Sequence, residues 1–248
     1  IFQANLSQRF SAALPERFDP LPFYLQLRRV NPAPFSAYFA SGDLVLASSS
    51  PERFIVVDEG GVETRPIKGT RPRGDSPEAD KALAEELAAS EKDRAENVII
   101  VDLLRNDLSR ACAPGSVEVP EICTVESYAS VHHLVSAVTG RLKPGLEAVD
   151  LLAASFPGGS ITGAPKIRSM QIIDELEPTR RALYCGSLLY LDVRGEMDSS
   201  IAIRSLLAQD GQIACWGGGG IVADSQWEAE YQETFTKVRV LMQTLESL

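Results

Sequence analysis

The 248-residue sequence holds only two histidines and four cysteines. His132 and His133 are adjacent, and no third histidine or nearby cysteine set completes a ligand group, which argues against zinc. Cys112, Cys123, Cys185 and Cys215 match no CxxC motif and no dense disulfide framework, so they read as structural thiols in a reducing cytoplasm. There is no run of 18 apolar residues and no signal-peptide pattern, so neither a membrane span nor secretion is expected. Internal repeats and low-complexity linkers are missing, as is the Walker pattern of a nucleotide loop. Cations are in deficit, with 24 Lys and Arg against 34 Asp and Glu and a formal net charge of −10. That argues against nucleic acid as the main partner, because phosphate binding needs clustered cations. A small anionic substrate remains open, since local clusters decide it.

What is present is ordinary for a soluble globule: 44% hydrophobic and 23% charged residues, in a length that suits one large or two small domains. The opening "IFQANLSQRF" has no initiator methionine and reads as the interior of a strand, so a piece of a longer protein is expected. "LVLASSSPERFIVVDEGGVETRPI" reads as β-rich runs around a turn at Gly60-Gly61. Ser76 with Pro77, and Ser90 with Asp93 three residues on, open two helices. The apolar run 98–101 is ambiguous on periodicity and is assigned to the second helix. Strands are expected at 117–119 and 125–142, and helices at 146–155 and 165–176. Further strands are placed at 183–193, 201–208 and 212–222, with hairpin turns at Arg194-Gly195 and Asp210-Gly211. A last helix starts at Ser225 with Glu228 as capping partner, and its buried stripe is read as Trp227, Tyr231, Phe235, Val238, Met242 and Leu245. The pattern is α+β: mixed, largely antiparallel sheets packed with helices.

Several stretches carry chemistry. In "ETRPIKGTRPRG" one lysine, Lys68, stands in a frame stiffened by Pro66 and Pro72 and relaxed at Gly69. It is either a basic turn or a positioned amine whose pKa Arg65, Arg71 and Arg73 would lower. Asp93 and Glu96, and again Glu230 and Glu233, are three residues apart and share a helical face. Each pair is a solvated face or half of an oxygen-rich site suited to Mg²⁺. "GGSITGAPKIR" feeds a helix start, a place suited to an anion. The glycines of "CWGGGGIV" mark a bulge or a close approach of ligand to backbone. Arg204, read inside an alternating strand, needs an anionic partner: a structural carboxylate or a two-pronged substrate.

Ten segments fall in one order: "FQANLSQRF", "SPERF", "PIKGTRPRG", "AENVIIVDLLRNDLSR", "YASVHHLVSAVTG", "FPGGSITGAPKIRSM", "YCGSLLY", "DSSIAIRSL", "WGGGGIVADS" and "EAEYQETFTK". In that order, over almost the whole chain, the sequence resembles the chorismate-utilising enzymes, whose branches make anthranilate, aminodeoxychorismate, isochorismate and salicylate. The resemblance implies one catalytic domain over residues 1–248, with the family's N-terminal region absent. Glu96, Glu230 and Glu233 match its Mg²⁺ acids, and Asp93 stands where glutamate is common. Arg204, Tyr184 and the backbone of Gly218 to Gly220 match groups that bind the enolpyruvyl carboxylate. Ser160 falls near the ring carboxylate, His133 near the reacting ring, and Lys237 at the anion site. Gln3 replaces the water-activating lysine of the water-using branches, which favours ammonia.

"PIKGT" is the signature of the aminodeoxychorismate branch; the anthranilate branch has "PIAGT". The resemblance thus implies covalent chemistry at Lys68, with Glu52 as general acid–base. An ordinary lysine of pKa near 10.4 is disfavoured as a free amine by about 4 kcal/mol at neutral pH, and its surroundings must offset part of that. Ammonia is expected from a glutamine amidotransferase subunit or domain, since no "GxCxG" elbow surrounds any cysteine here. The alternatives are an anthranilate synthase with an atypical lysine, or a non-catalytic chorismate-binding fragment.

Overall fold

The computed structural model describes residues 1–129 and 131–247. Ser130, within the expected strand run 125–142, lies outside the described residues. The chain clusters into two compact units: Ile1–Glu52, Ile161–Leu188 and Ser200–Leu248 form unit 1, and Arg53–Ser160 and Leu189–Ser199 form unit 2.

Unit 1 is built on a six-stranded antiparallel sheet. Its order is β2 (Phe35–Ser41), β3 (Leu44–Ser50), β12 (Ser205–Gln209), β13 (Gln212–Ile221), β1 (Gln3–Ala13) and β9 (Gly163–Ala164). β1 and β13 pair continuously from Ala4 opposite Ile221 to Ala13 opposite Gln212. Helices α1 (Pro20–Val30) and α6 (Trp227–Glu246) cover the sheet, and α5 (Lys166–Leu176) lies along β1. Asp19 caps α1 by accepting from Leu21 N at 3.0 Å, Pro20 fits its first turn, and Arg28 and Arg29 suit its C-terminal dipole. Phe23, Leu27 and Leu241 are fully or almost fully buried against Ala47, Leu206 and Ile213. Burying such a side chain contributes about 1.5–3 kcal/mol each.

Unit 2 centres on a sheet ordered β10 (Ser187–Leu191), β11 (Met197–Ile201), β4 (Arg53–Asp58), β5 (Gly61–Thr64), β8 (Val131–Arg141) and β6 (Ile67–Pro72), with β7 (Glu118–Ser127) also paired to β8. Helices α2 (Pro77–Ala89) and α3 (Glu91–Ala111) pack on it, and α4 (Ala148–Ser155) packs on α3. Ser76 and Ser90 cap α2 and α3 by accepting from Ala79 N and Asp93 N at 3.2 and 3.3 Å. The ambiguous run 98–101 is helical, with Ile100 and Val101 buried. Among the described residues no helix is long and apolar enough to cross a membrane.

Several sequence expectations are corrected. The run 183–193 is a turn followed by the short β10, and 201–208 is interrupted at 202–204 before β12 begins. Arg204 therefore sits in no strand, but in left-handed backbone at φ 50°. The last helix starts at Trp227 rather than Ser225; Gln226 is its N-cap, and the Ser225 hydroxyl instead donates to Glu230 Oε1 at 2.7 Å. Its buried face is Glu230, Thr234, Val238, Leu241 and Thr244, while Trp227 is 74% exposed. The cause is the facing strand, where a methyl group on Gly217 would lie 2.3 Å from the Thr234 carbonyl oxygen. The helix thus lies directly on glycine backbone, a surface that admits threonine and glutamate and has no need of large apolar groups. The strand β2 and helix α1 were not read from the sequence at all.

Candidate active site

In unit 2, Lys68 lies on β6 where the register against β8 shifts between Ile67 and Thr70, a bulge that re-aims the side chain. Gly69 has φ 80°, and a methyl group there would lie 2.8 Å from Asp93 Cγ. Glycine is required on both counts, and it brings the lysine's strand into direct contact with α3. Lys68 Nζ donates to the Ser160 carbonyl at 3.3 Å, so two of the sequence-nominated residues meet. His133 stands opposite Thr70, with Nδ1 2.9 Å from the Thr70 hydroxyl and its ring 5.5 Å from that of Tyr128. His132 is the satisfied core histidine: it is buried, with Nδ1 2.8 Å from Ser127 Oγ and Nε2 2.9 Å from Asp80 Oδ1.

The three arginines expected to act on Lys68 are each paired with carboxylates. Arg65 pairs with Glu121 and Glu126, Arg71 with Glu86 and Asp93, and Arg73 with Asp80. Each charge is met locally by carboxylate, and Arg73 together with the Gly74 N–H and His132 holds the Asp80 carboxyl well below the usual range. Of the α3 acids, Asp93 faces Arg71 at 3.3 Å and Glu96 faces Lys92 at 3.9 Å.

In unit 1, α6 and β13 assemble a second group. Lys237 Nζ donates to the Gly218 carbonyl at 2.7 Å and pairs with Glu233, while the Lys237 carbonyl accepts from Arg204 Nη1 at 2.9 Å. A methyl group on Gly219 would lie 3.3 Å from Glu230 Oε2, 3.4 Å from Glu233 Oε1 and 3.5 Å from Lys237 Nζ. Both carboxylates therefore face one stretch of bare backbone. Burial pushes the Arg204 guanidinium down, opposed by the Tyr184 phenol and Glu233. Burial pushes the Tyr184 phenol well up, so it stays a neutral O–H donor. Gln3 is 1% exposed and neither amide atom has a hydrogen-bond partner; a methyl group on Gly220 would sit 1.9 Å from its Nε2. Glu52 is buried, and its carbonyl accepts from Ile201 N at 3.1 Å.

Glu230 and Glu233 are hard oxygen donors of the kind Mg²⁺ takes, and Glu233 is paired with the Lys237 ammonium. Among the described residues no group of three or more His, Cys, Asp or Glu side chains stands close enough to hold a metal. Sequence reasoning missed Thr70, Arg181 and Trp216. Trp216 was in view inside "CWGGGGIV", but only its glycines drew notice.

Residues 1–243 match the chorismate binding enzyme family. Over 99% of its length the chain is 56% identical to the aminodeoxychorismate synthase component 1 of Salmonella typhimurium, covering 54% of that protein. It is 46% identical to the anthranilate synthase component 1 of Aquifex aeolicus, covering 49% of it. The crystal structure of anthranilate synthase component I from Streptococcus pneumoniae superposes with a TM-score of 0.87 at 42% identity, over 97% of this chain and 53% of that one. The chain spans about half the length of the relatives it matches, and it belongs to the family of chorismate binding enzymes.

Proposed function

We propose that the chain converts chorismate and ammonia to 4-amino-4-deoxychorismate, as the catalytic portion of an aminodeoxychorismate synthase component 1 on the folate path. The observation that carries this reading is Lys68: a lysine lifted from the sheet register by a bulge, with its amine against the Ser160 carbonyl. Its amine attacks C2 of the ring, both ring double bonds shift, and the 4-hydroxyl leaves as water with a proton supplied by Glu52. Ammonia then attacks C4, both double bonds shift back, and the Lys68 amine is released. His133, steadied by Thr70, serves the reacting ring. In unit 1 the Tyr184 hydroxyl, Arg204 and the backbone of Gly218 and Gly220 take the enolpyruvyl carboxylate, Lys237 adds charge, and Gln3 leaves no base to activate water. In unit 2 Ser160 belongs to the ring-carboxylate end.

Mg²⁺ would be held by Glu230 and Glu233; the resemblance adds Glu96 and Asp93 of α3. When bound it neutralises the ring carboxylate of the substrate. The relatives' designation as component 1 supports a partner, read here as a glutamine amidotransferase that delivers ammonia. The four cysteines are free and buried, which accords with a reducing cytoplasm.

Relatives called anthranilate synthase keep a second reading in play. A product assay with chorismate, ammonia and Mg²⁺ separates the two: a non-aromatic amine is expected, and fluorescent anthranilate with pyruvate overturns the proposal. With ammonia withheld, intact-protein mass spectrometry should show an adduct of one chorismate less one water, absent in Lys68→Ala.

A further inference from the structure

Tyr184 is held by a stack of side chains that the proposed chemistry does not use. Its ring lies 5.9 Å from that of Trp216 with an interplanar angle of 7°, flat against the indole. The Arg181 guanidinium lies 5.8 Å from the Tyr184 ring centroid, and that of Arg9 lies 5.6 Å from the Trp216 centroid. Stacked rings with guanidiniums over them are favourable by quadrupole attraction, and more so when desolvated. Because Gly217 and Gly219 turn toward α6, strand alternation turns Trp216, Gly218 and Gly220 toward the opposite face. Trp216 thus ends the bare glycine stretch as a wall. Its Nε1 is buried without a hydrogen-bond partner, so no polar bond explains its place; its ring contact does.

The backbone that carries Tyr184 is strained and needs an external hold. Ala182 and Cys185 have φ of 49° and 65°, left-handed conformations that non-glycine residues disfavour. Arg181 supplies the hold with all five of its N–H donors. Nε and one Nη2 hydrogen reach Glu177, the other reaches the Asn5 carbonyl, and Nη1 reaches the Ile161 carbonyl and Cys185 Sγ. Glu177 is fixed in turn by the Ser7 N–H and hydroxyl, both at 2.8 Å. The same turn is tied to the segment of Arg204: Cys185 N donates to the Ala202 carbonyl at 2.9 Å, and Ala202 N to that of Gly186 at 2.8 Å.

We propose that Trp216 and Arg181 are positioning residues for Tyr184: they fix the ring in one orientation so that its hydroxyl and Arg204 present a preformed clamp for a carboxylate. The inference rests on Tyr184 and Arg204 being the carboxylate-binding groups. A preformed clamp acts on substrate affinity and leaves the chemical step alone, so its loss raises KM for chorismate with kcat nearly unchanged.

The test is steady-state kinetics of the full chain. Trp216→Leu and Arg181→Met are each expected to raise KM for chorismate about tenfold with kcat within about threefold. Trp216→Phe, which keeps a ring to stack, should restore KM to within about twofold and covers the case in which the leucine variant does not fold. In a Tyr184→Phe background, Trp216→Leu should change KM less than about twofold, because the group it positions is gone. Independent, additive effects of Trp216→Leu and Tyr184→Phe overturn the proposal, as does an unchanged KM in both Trp216→Leu and Arg181→Met. If Tyr184→Phe leaves KM unchanged while the wild-type chain turns chorismate over, the assignment of Tyr184 itself fails, and the proposal falls with it.

Discussion

In unit 1 the groups nominated for binding are fixed by backbone that local preference disfavours, whereas in unit 2 the nominated nucleophile rides on a regular strand with one irregular step. Arg204 and the two residues flanking the Tyr184 segment are left-handed, and burial pushes the Arg204 guanidinium down. Lys68 and His133 are half-buried on β6 and β8, among ion pairs at an exposed rim. Burial and strain make a rigid recognition surface. A bulge between regular strands aims one amine while leaving it water enough to exchange protons. The difference teaches that the groups nominated for affinity and for reactivity are held by different means, so variants in the two units should fail in different kinetic terms.

The sharpest break comes from Lys68→Ala. It should lower kcat for amination at least about a thousandfold, with chorismate affinity near wild type by equilibrium titration. Arg204→Met should do the opposite, raising KM about 10- to 100-fold, the worth of hydrogen bonds to a charged group, with a small change in kcat. Arg204→Lys recovers only part of this, because one ammonium cannot serve the Lys237 carbonyl and grip a carboxylate two-pronged. If both variants lower kcat alone, the division between the units is wrong.

Stability sharpens the same contrast. Gly217→Ala in unit 1 would drive a methyl group to 2.3 Å from the Thr234 carbonyl, and should cost about 1–3 kcal/mol in urea unfolding. Gly140→Ala in unit 2 meets the Cys112 sulfur at 2.8 Å, a side chain rather than backbone, and should cost less.

The smallest effect is electrostatic. Because Asp80's folded-state carboxyl titrates below its unfolded value, its contribution is present above about pH 4 and fades as pH falls toward the folded value. Asp80→Asn should therefore lower the unfolding midpoint at pH 7, with the gap to wild type closing through the acid range.

Local signals were read well and long-range ones were not. Ser76 with Pro77 and Ser90 announce α2 and α3, because caps act within three residues. The proline and glycine frame marks the irregular step at Gly69 beside Lys68 for the same reason. The break at Arg204 has no local mark: an alternating apolar pattern runs through it, and the left-handed step is imposed by bonds to Ser49 and Lys237. The buried face of α6 was misplaced because Trp227 and Tyr231 are large and apolar, yet glycine backbone faces the helix and selects Thr234 and Glu230. Arg181 gathers partners from Asn5 to Cys185, a hub that only the folded chain discloses.

The longest strand pairing in unit 1 joins β1 to β13, which leaves the ribosome some 200 residues after it. During synthesis β1 must wait with its ladder groups open, a template for any other extended chain nearby. Refolding of unit 1 should accordingly be slow and concentration-sensitive, and crowded expression should favour aggregates seeded by β1.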